Sequence, residues 1–418
     1  MAIHQATRRE LLAGSGALFA WAFVPKLARA EGRDPRFLTI VLRGALDGLA
    51  AVAPVGDPDW IRLRGDNALK LDGATPALPL DGFFALNPAM PNLHRLYHAG
   101  QAIVVHAVAT PYRERSHFDG QDVLESGLPR PGRAAESGWL NRALTRLEPG
   151  DGVRVSANGQ RTFAVGPVTP LVVRGQAPVL SWVPPRLPPV SDDTTSRLLD
   201  LYRHTDPTLA RVLEERISLA ALAPDAPSDR KPGEMAPVVQ IGNISQVRAY
   251  FAEAAGAAAR YLASPDGPRV GALALDGWDT HVNEGVVNGR LSQLLGALDA
   301  ALAAVEANMG AAWSQTVVTL ITEFGRTARI NGNLGTDHGT ATVALLVGGA
   351  LKGGRVVADW PGLKEPDLHE KRDLKATIDL RAVLKGLLRD HLRVDDRALA
   401  ADVFPDSQDA IAMEGLVG

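Results

Sequence analysis

Short apolar runs, each stopped by glycine or a polar residue and separated by helix-length segments, constrain this 418-residue chain more than any other feature. Residues 37–44 (Phe37-Leu38-Thr39-Ile40-Val41-Leu42-Arg43-Gly44) stay apolar and β-branched up to the closing Arg-Gly pair, as in a strand buried on both faces. Residues 102–108, 269–275, 316–321 and 341–347 repeat the pattern. Helical spacing runs over 91–99, with Gly100 as C-cap, and over 116–125 and 291–309. Strands alternating with helices predict an α/β fold with a doubly wound, mostly parallel sheet. Such sheets gather their functional loops at the carboxyl ends of the strands. Between about 174 and 268 the pattern changes to a Pro-rich run (183–190), helical spacing over 194–222, a polar linker and a further helix over 245–262. This stretch reads as a helical insertion or cap on a single domain spanning 31–418.

The first thirty residues have a different character. Thr7-Arg8-Arg9-Glu10-Leu11-Leu12 opens an apolar stretch that reaches Val24, and Ala28-Arg29-Ala30 places small residues where a signal peptidase reads them. The order is that of a twin-arginine export signal, with Glu31 as the first mature residue and the twin-arginine translocase as a transient partner. The expected location is periplasmic or secreted. The apolar stretch falls short of the ~20 residues of a membrane span, and no later segment is expected to form a stable one. The translocase carries folded proteins, which makes a preloaded metal more expected. Cysteine is absent, so a metal here must use His and carboxylates. Without residues 1–30 the chain keeps 40 basic and 46 acidic residues, a net charge of −6, which argues against a nucleic-acid partner.

The residues able to carry chemistry cluster where strands run out. In Leu275-Asp276-Gly277-Trp278-Asp279-Thr280-His281, extended chain puts Asp279 and His281 on one side, within reach of one cation, and Asp276 can join from the turn. Glu323 follows the 316–321 strand. Asp337 and His338 lie between glycines just before the 341–347 strand, and Asp47 follows the first strand. Upstream, Arg113-Glu114-Arg115-Ser116-His117 sits between a strand and a helix. Ser116 there is either an ordinary N-cap or a nucleophile at a helix N-terminus, where free N–H groups favour an anion. Arg113 and Arg115 add donors suited to phosphate or sulfate. Together these rim clusters specify an oxygen/nitrogen site for a divalent metal, one ion or two, of the Zn, Mg, Mn or Ca class.

The order of these motifs resembles the alkaline-phosphatase-like superfamily, which includes sulfatases and phosphoglycerate mutases. More closely, nearly the whole mature chain resembles a twin-arginine-exported bacterial family of unknown function. The resemblance rests on Leu42-Arg43-Gly44-Ala45-Leu46-Asp47-Gly48-Leu49, Arg115-Ser116-His117-Phe118-Asp119, Gly138-Trp139-Leu140-Asn141-Arg142, Gly277-Trp278-Asp279-Thr280-His281, Thr322-Glu323-Phe324-Gly325-Arg326, Thr336-Asp337-His338-Gly339 and Asp359-Trp360-Pro361-Gly362-Leu363. It implies a metal-binding Asp at Asp47, a nucleophile at Ser116, ligands at Asp279, His281 and His338, and Glu323-Phe324 in place of a ligating Asp-His pair. Phe324 cannot ligate, so a second cation needs His117 or Asp337 in its stead. Ser116-His117-Phe118-Asp119 lacks the Pro and Arg that follow a sulfatase nucleophile, which argues against formylglycine chemistry.

Two functions follow as expectations. The first is an exported metal-dependent hydrolase of small phosphate or sulfate esters: Ser116 attacks, Arg115 binds the transferred group, and His117 protonates the leaving group or ligates metal. The second is a non-catalytic periplasmic metal-binding or assembly protein that keeps the same fold. Asp47, Ser116, Asp279, His281, Glu323 and His338 are expected to converge on one edge. His94, His98, His204, His369 and His391 are expected at the surface, away from it.

Overall fold

A computed structural model describes residues 18–22, 33–132, 136–147, 170–177, 179–182, 199, 202–203, 210, 244–264 and 267–418. The predicted strands all form. In chain order the main sheet uses β1 (Leu18–Ala22), β2 (Arg36–Arg43), β3 (Ala102–Ala109), β4 (Val179–Trp182), β5 (Val270–Asp276), β6 (Thr316–Ile321), β7 (Thr342–Val347), β8 (Arg355–Val357) and β9 (Ile378–Asp379). Among the described residues they build a nine-stranded sheet in the order β8-β3-β7-β6-β2-β5-β1-β4, with β9 also on β3. Within its central part β2 runs parallel to β5 and β6, and β3 runs parallel to β8 and β9.

Strand β7 departs from the parallel arrangement, lying antiparallel to both β3 and β6. Its start therefore lies at the rim where the parallel strands end. The sheet is mixed and mostly parallel, as expected of an α/β fold, and the reversal at β7 brings the segment before it beside the segments after β2, β5 and β6.

Each face of the sheet carries a separate apolar layer, because alternate strand residues point to opposite sides. Leu38, Ile40, Leu42, Leu273 and Leu275 face helices α4 (Ile244–Ala263) and α5 (Arg290–Met309), while Phe37, Val41, Val317 and Ile321 face Trp139, Phe404 and helix α6 (Leu380–Leu392). The helix Arg290–Gln315, which includes α5, is long and apolar enough by composition to cross a membrane, contrary to expectation. Its core packing accounts for that composition: Leu291, Leu295, Leu298, Leu302 and Val305 are completely buried.

Strand β1 falls inside the segment read as an export signal and pairs antiparallel with β4 and β5. Cleavage after Ala30 would remove it from the sheet. Of the insertion expected over about 174–268, β4 and α4 are described. Residues 183–190, nearly all of 194–222, and His204 lie outside the described residues, as do Arg8, Arg9 and the 28–30 cleavage site.

His94 and His98 lie on an outer helix and His369 in a partly exposed turn, but His391 is buried. It belongs to the inner face of α6, where its Nε2–H donates to the Arg36 carbonyl at 2.9 Å. Buried His106 donates likewise to Val52 at 3.0 Å. Burial pulls both imidazoles down to about 4, against the opposing effect of these bonds. Between pH 6.5 and 4 the unfolded chain takes up a proton at each that the native state refuses, so stability falls as pH drops through that window. Each imidazole contributes on the order of 3 kcal/mol by pH 4. Urea midpoints measured across that range should fall less steeply for His391→Gln than for the unaltered chain; equal slopes would contradict this.

Candidate metal centre

Asp279 and His281 leave β5, and their segment is tied to the loop before β7. Thr336 N–H donates to the Thr280 carbonyl at 3.1 Å, and Asn331 Nδ2 donates to the His281 carbonyl at 3.0 Å. The segment after β6 pairs with the same loop, with Gly339 N–H donating to Gly325 and Thr327 N–H to Asp337. Two of these approaches require glycine. A Cβ on Gly44 would stand 2.6 Å from the Asp279 nitrogen, and one on Gly339 would stand 2.5 Å from the Arg326 carbonyl oxygen.

Three imidazoles converge on the Asp279 carboxylate. His281 Nε2 lies 3.0 Å from Oδ1 and His338 Nε2 lies 3.3 Å from Oδ1, while His117 Nε2 lies 3.5 Å from Oδ2. The two nitrogens Nε2 of His281 and His338 are 2.9 Å apart. Ligand atoms of His117, Asp279 and His338 all lie within 4.8 Å of one another, and His281 joins through Asp279 and His338.

Each ring is fixed from behind. His338 Nδ1 reaches the Arg115 carbonyl at 2.9 Å, His117 Nδ1 reaches Glu323 Oε1 at 2.8 Å, and His281 Nδ1 reaches Asp337 Oδ1 at 3.3 Å. A carbonyl or an ionised carboxylate only accepts, so the three Nδ1 atoms carry hydrogens and the three Nε2 atoms face Asp279, each with a lone pair when its ring is neutral. This is the outer-sphere arrangement that orients histidine ligands. Arg115 adopts a left-handed backbone (φ 63°), rare for a side chain of its size, in the residue whose carbonyl holds His338.

The geometry passes a direct test of fit. His117 Nε2 is buried and well-placed hydrogen bonds do not reach it, its Asp279 partner standing at 3.5 Å, which leaves room for a better-bound occupant. Burial pulls His117 down, but pairing with Asp279 and Glu323 lifts it to about 9, so a proton is the competing occupant of that lone pair. Burial raises Asp279, yet pairing with His117, His338 and Arg326 holds it well below the usual carboxylate range. The Arg326 guanidinium pairs with Asp279 and acts on Asp337, while Glu323 acts on the Arg43 guanidinium.

Several expected residues stand elsewhere. Asp47 is buried and caps a short helix at Ala50, and its two oxygens take a bidentate pair from Arg64, at 2.5 and 3.0 Å. Glu323 sits behind His117 with its oxygens filled by Gly44 N–H, His117, Gln121 and Thr322. Asp276, pushed up to about 6 by burial, lies near Arg43, Glu125 and Glu323. Asp337 backs His281 rather than replacing Phe324, and the Phe324 ring stacks on His117 at 5.0 Å.

Ser116 precedes the helix α2 (His117–Ser126), makes no side-chain cap and donates its N–H to the Tyr112 hydroxyl at 3.1 Å. The Arg115 guanidinium is held by Asp373 and Glu370, and that of Arg113 by the Thr110 and Tyr112 carbonyls. Arg326 carries no signal of its own in the sequence. It is buried, donates to Asp279 at 2.6 Å and anchors on Thr336, which makes it the chief orienting group for that carboxylate. Glu284, buried against Thr280 and Thr336, is likewise silent in the sequence.

A family model described as "Protein of unknown function (DUF1501)" matches residues 100–404. The match takes in His117, Asp279, His281, Glu323 and His338 but not Asp47. No curated protein matches the chain.

The structure therefore separates Asp47 from Asp279 in role. Asp47→Asn strands a buried guanidinium and should destabilise the fold by about 3–5 kcal/mol in urea unfolding, while bound divalent metal per folded chain stays unchanged. Asp279→Asn should lose the metal and, because it takes the carboxylate from the buried Arg326, cost stability as well. Loss of metal with unchanged stability in Asp47→Asn would return Asp47 to the ligand set.

Proposed function

The chain belongs to the DUF1501 family, and on that premise we propose that it is an exported metal-dependent hydrolase of phosphate or sulfate esters, built on an alkaline-phosphatase-like sheet. The observation that carries this reading is the convergence of three back-anchored imidazoles on Asp279 at a rim open to solvent. The side chains of Asp279 and His281 are 41 % exposed, and those of His117 and His338 are 25 % exposed. Structural zinc sites are closed, whereas catalytic ones keep access for water or substrate.

The donor set suits one ion of the zinc type. Imidazole favours zinc and its late-transition neighbours, while magnesium and calcium prefer oxygen donors alone. A second ion at the rim lacks ligands among the described residues, since Asp47 belongs to Arg64 and Phe324 fills the space beside His117. His117, His281, His338 and Asp279 would hold the ion, which would supply Lewis acidity toward an ester oxygen. Glu323, Asp337 and the Arg115 carbonyl keep the rings in one tautomer. Ser116, joined directly to His117 and Arg115, is the nucleophile of this reading, its hydroxyl proton passing to solvent or to a rim carboxylate.

One observation favours a non-catalytic metal-binding role in its place: both arginines expected to grip the ester anion are already paired within the chain. Metal analysis and turnover on a panel of phosphate and sulfate esters decide between the two. The hydrolase reading expects one metal per chain, loss of that metal in His117→Ala and His338→Ala, and loss of turnover with metal retained in Ser116→Ala. Metal without turnover on any ester supports the binding role, and unchanged turnover in Ser116→Ala removes the serine nucleophile. Export is tested separately: changing Arg8 and Arg9 together to Lys should leave uncleaved precursor in the cytoplasm, and normal accumulation outside it would reject the signal.

A further inference from the structure

We propose that His94 and His98 form a second, surface metal site, independent of the rim, that takes a late divalent transition ion of tetragonal preference, copper(II) above all. They lie four residues apart on the helix α1 (Pro91–His98), whose Leu93, Leu96 and Tyr97 turn inward, so both imidazoles share its outer face. Their Nε2 atoms are 3.0 Å apart, with ring centroids at 4.4 Å. Two nitrogens about 2.1 Å from one ion and about 90° apart at it stand about 3.0 Å from each other, the cis spacing of a tetragonal site.

A third donor faces the same point. The Pro79 carbonyl lies 2.8 Å from His94 Nε2 and 3.3 Å from His98 Nε2. One oxygen thus serves two nitrogens that also face each other, an arrangement that hydrogen bonds use poorly and a cation uses fully. The surrounding charge is permissive. Arg95, the cation between the two histidines, is paired with Glu306 on α5. Asp81 acts on neighbouring Tyr97, whose hydroxyl is raised by burial and by that carboxylate. His98 closes the helix, where the negative end of the peptide dipoles favours a cation. Copper(II) binds nitrogen donors most tightly among the first-row divalent ions.

The test is a copper(II) titration of the full mature protein in a weakly competing buffer, read by calorimetry and by electron paramagnetic resonance. His98→Ala should bind one equivalent fewer than the unaltered chain and lose a nitrogen-coupled copper signal. His94→Gln, which keeps a donor for Pro79 and spares the fold, should weaken that site by at least about tenfold, since even outer-sphere losses cost that much. The rim variant His338→Ala should retain the signal. Equal copper stoichiometry in His98→Ala and the unaltered chain overturns the site and leaves the pair as hydrogen-bond partners of Pro79, whatever the rim does.

Discussion

The direction in which three imidazole rings point is the constraint on which the candidate centre depends. An unanchored histidine can turn either nitrogen outward, and its ring samples several rotamers at little cost. Here the Arg115 carbonyl, Glu323 and Asp337 each take one Nδ1–H, so His338, His117 and His281 present Nε2 to the same carboxylate. Asp279 is fixed in turn by Arg326, a buried cation bonded to Thr336. Without these backing groups, the same four side chains would be a scatter of polar residues on a sheet edge.

The backing groups in turn require the mixed sheet. Glu323 follows β6 and Asp279 follows β5, both at the carboxyl rim of a parallel set. His338 precedes its strand and reaches that rim because β7 runs the other way. Arg115 and His117 arrive from the loop and helix after β3, beyond β7 in the sheet. Close backbone passages at Gly44 and Gly339 hold the segments together where any side chain would collide.

Much of this was legible in the sequence. The runs 37–44, 102–108 and 316–321 had to be buried strands, and Asp279, His281 and His338 gave themselves away as acceptor and imidazole residues at strand ends. The signal fades where a residue's role depends on a distant partner. Asp47 looks like a ligand until Arg64, silent in the sequence, is seen to take both oxygens, and Glu323 looks like a ligand until His117 comes between it and the rim. His391 looks superficial because a charged run surrounds it, yet the inner face of an amphipathic helix buries it. Pairings of this kind are set by side-chain direction across the fold, which no local pattern encodes.

The most direct test of the centre is the X-ray absorption spectrum of the full chain loaded with one equivalent of zinc. The arrangement predicts a first shell of nitrogen and oxygen at about 2.0–2.1 Å with the outer-shell scattering of imidazole rings, weakened when His281 or His338 is replaced by alanine. A shell of oxygen alone, with no imidazole scattering and no response to either replacement, would contradict it.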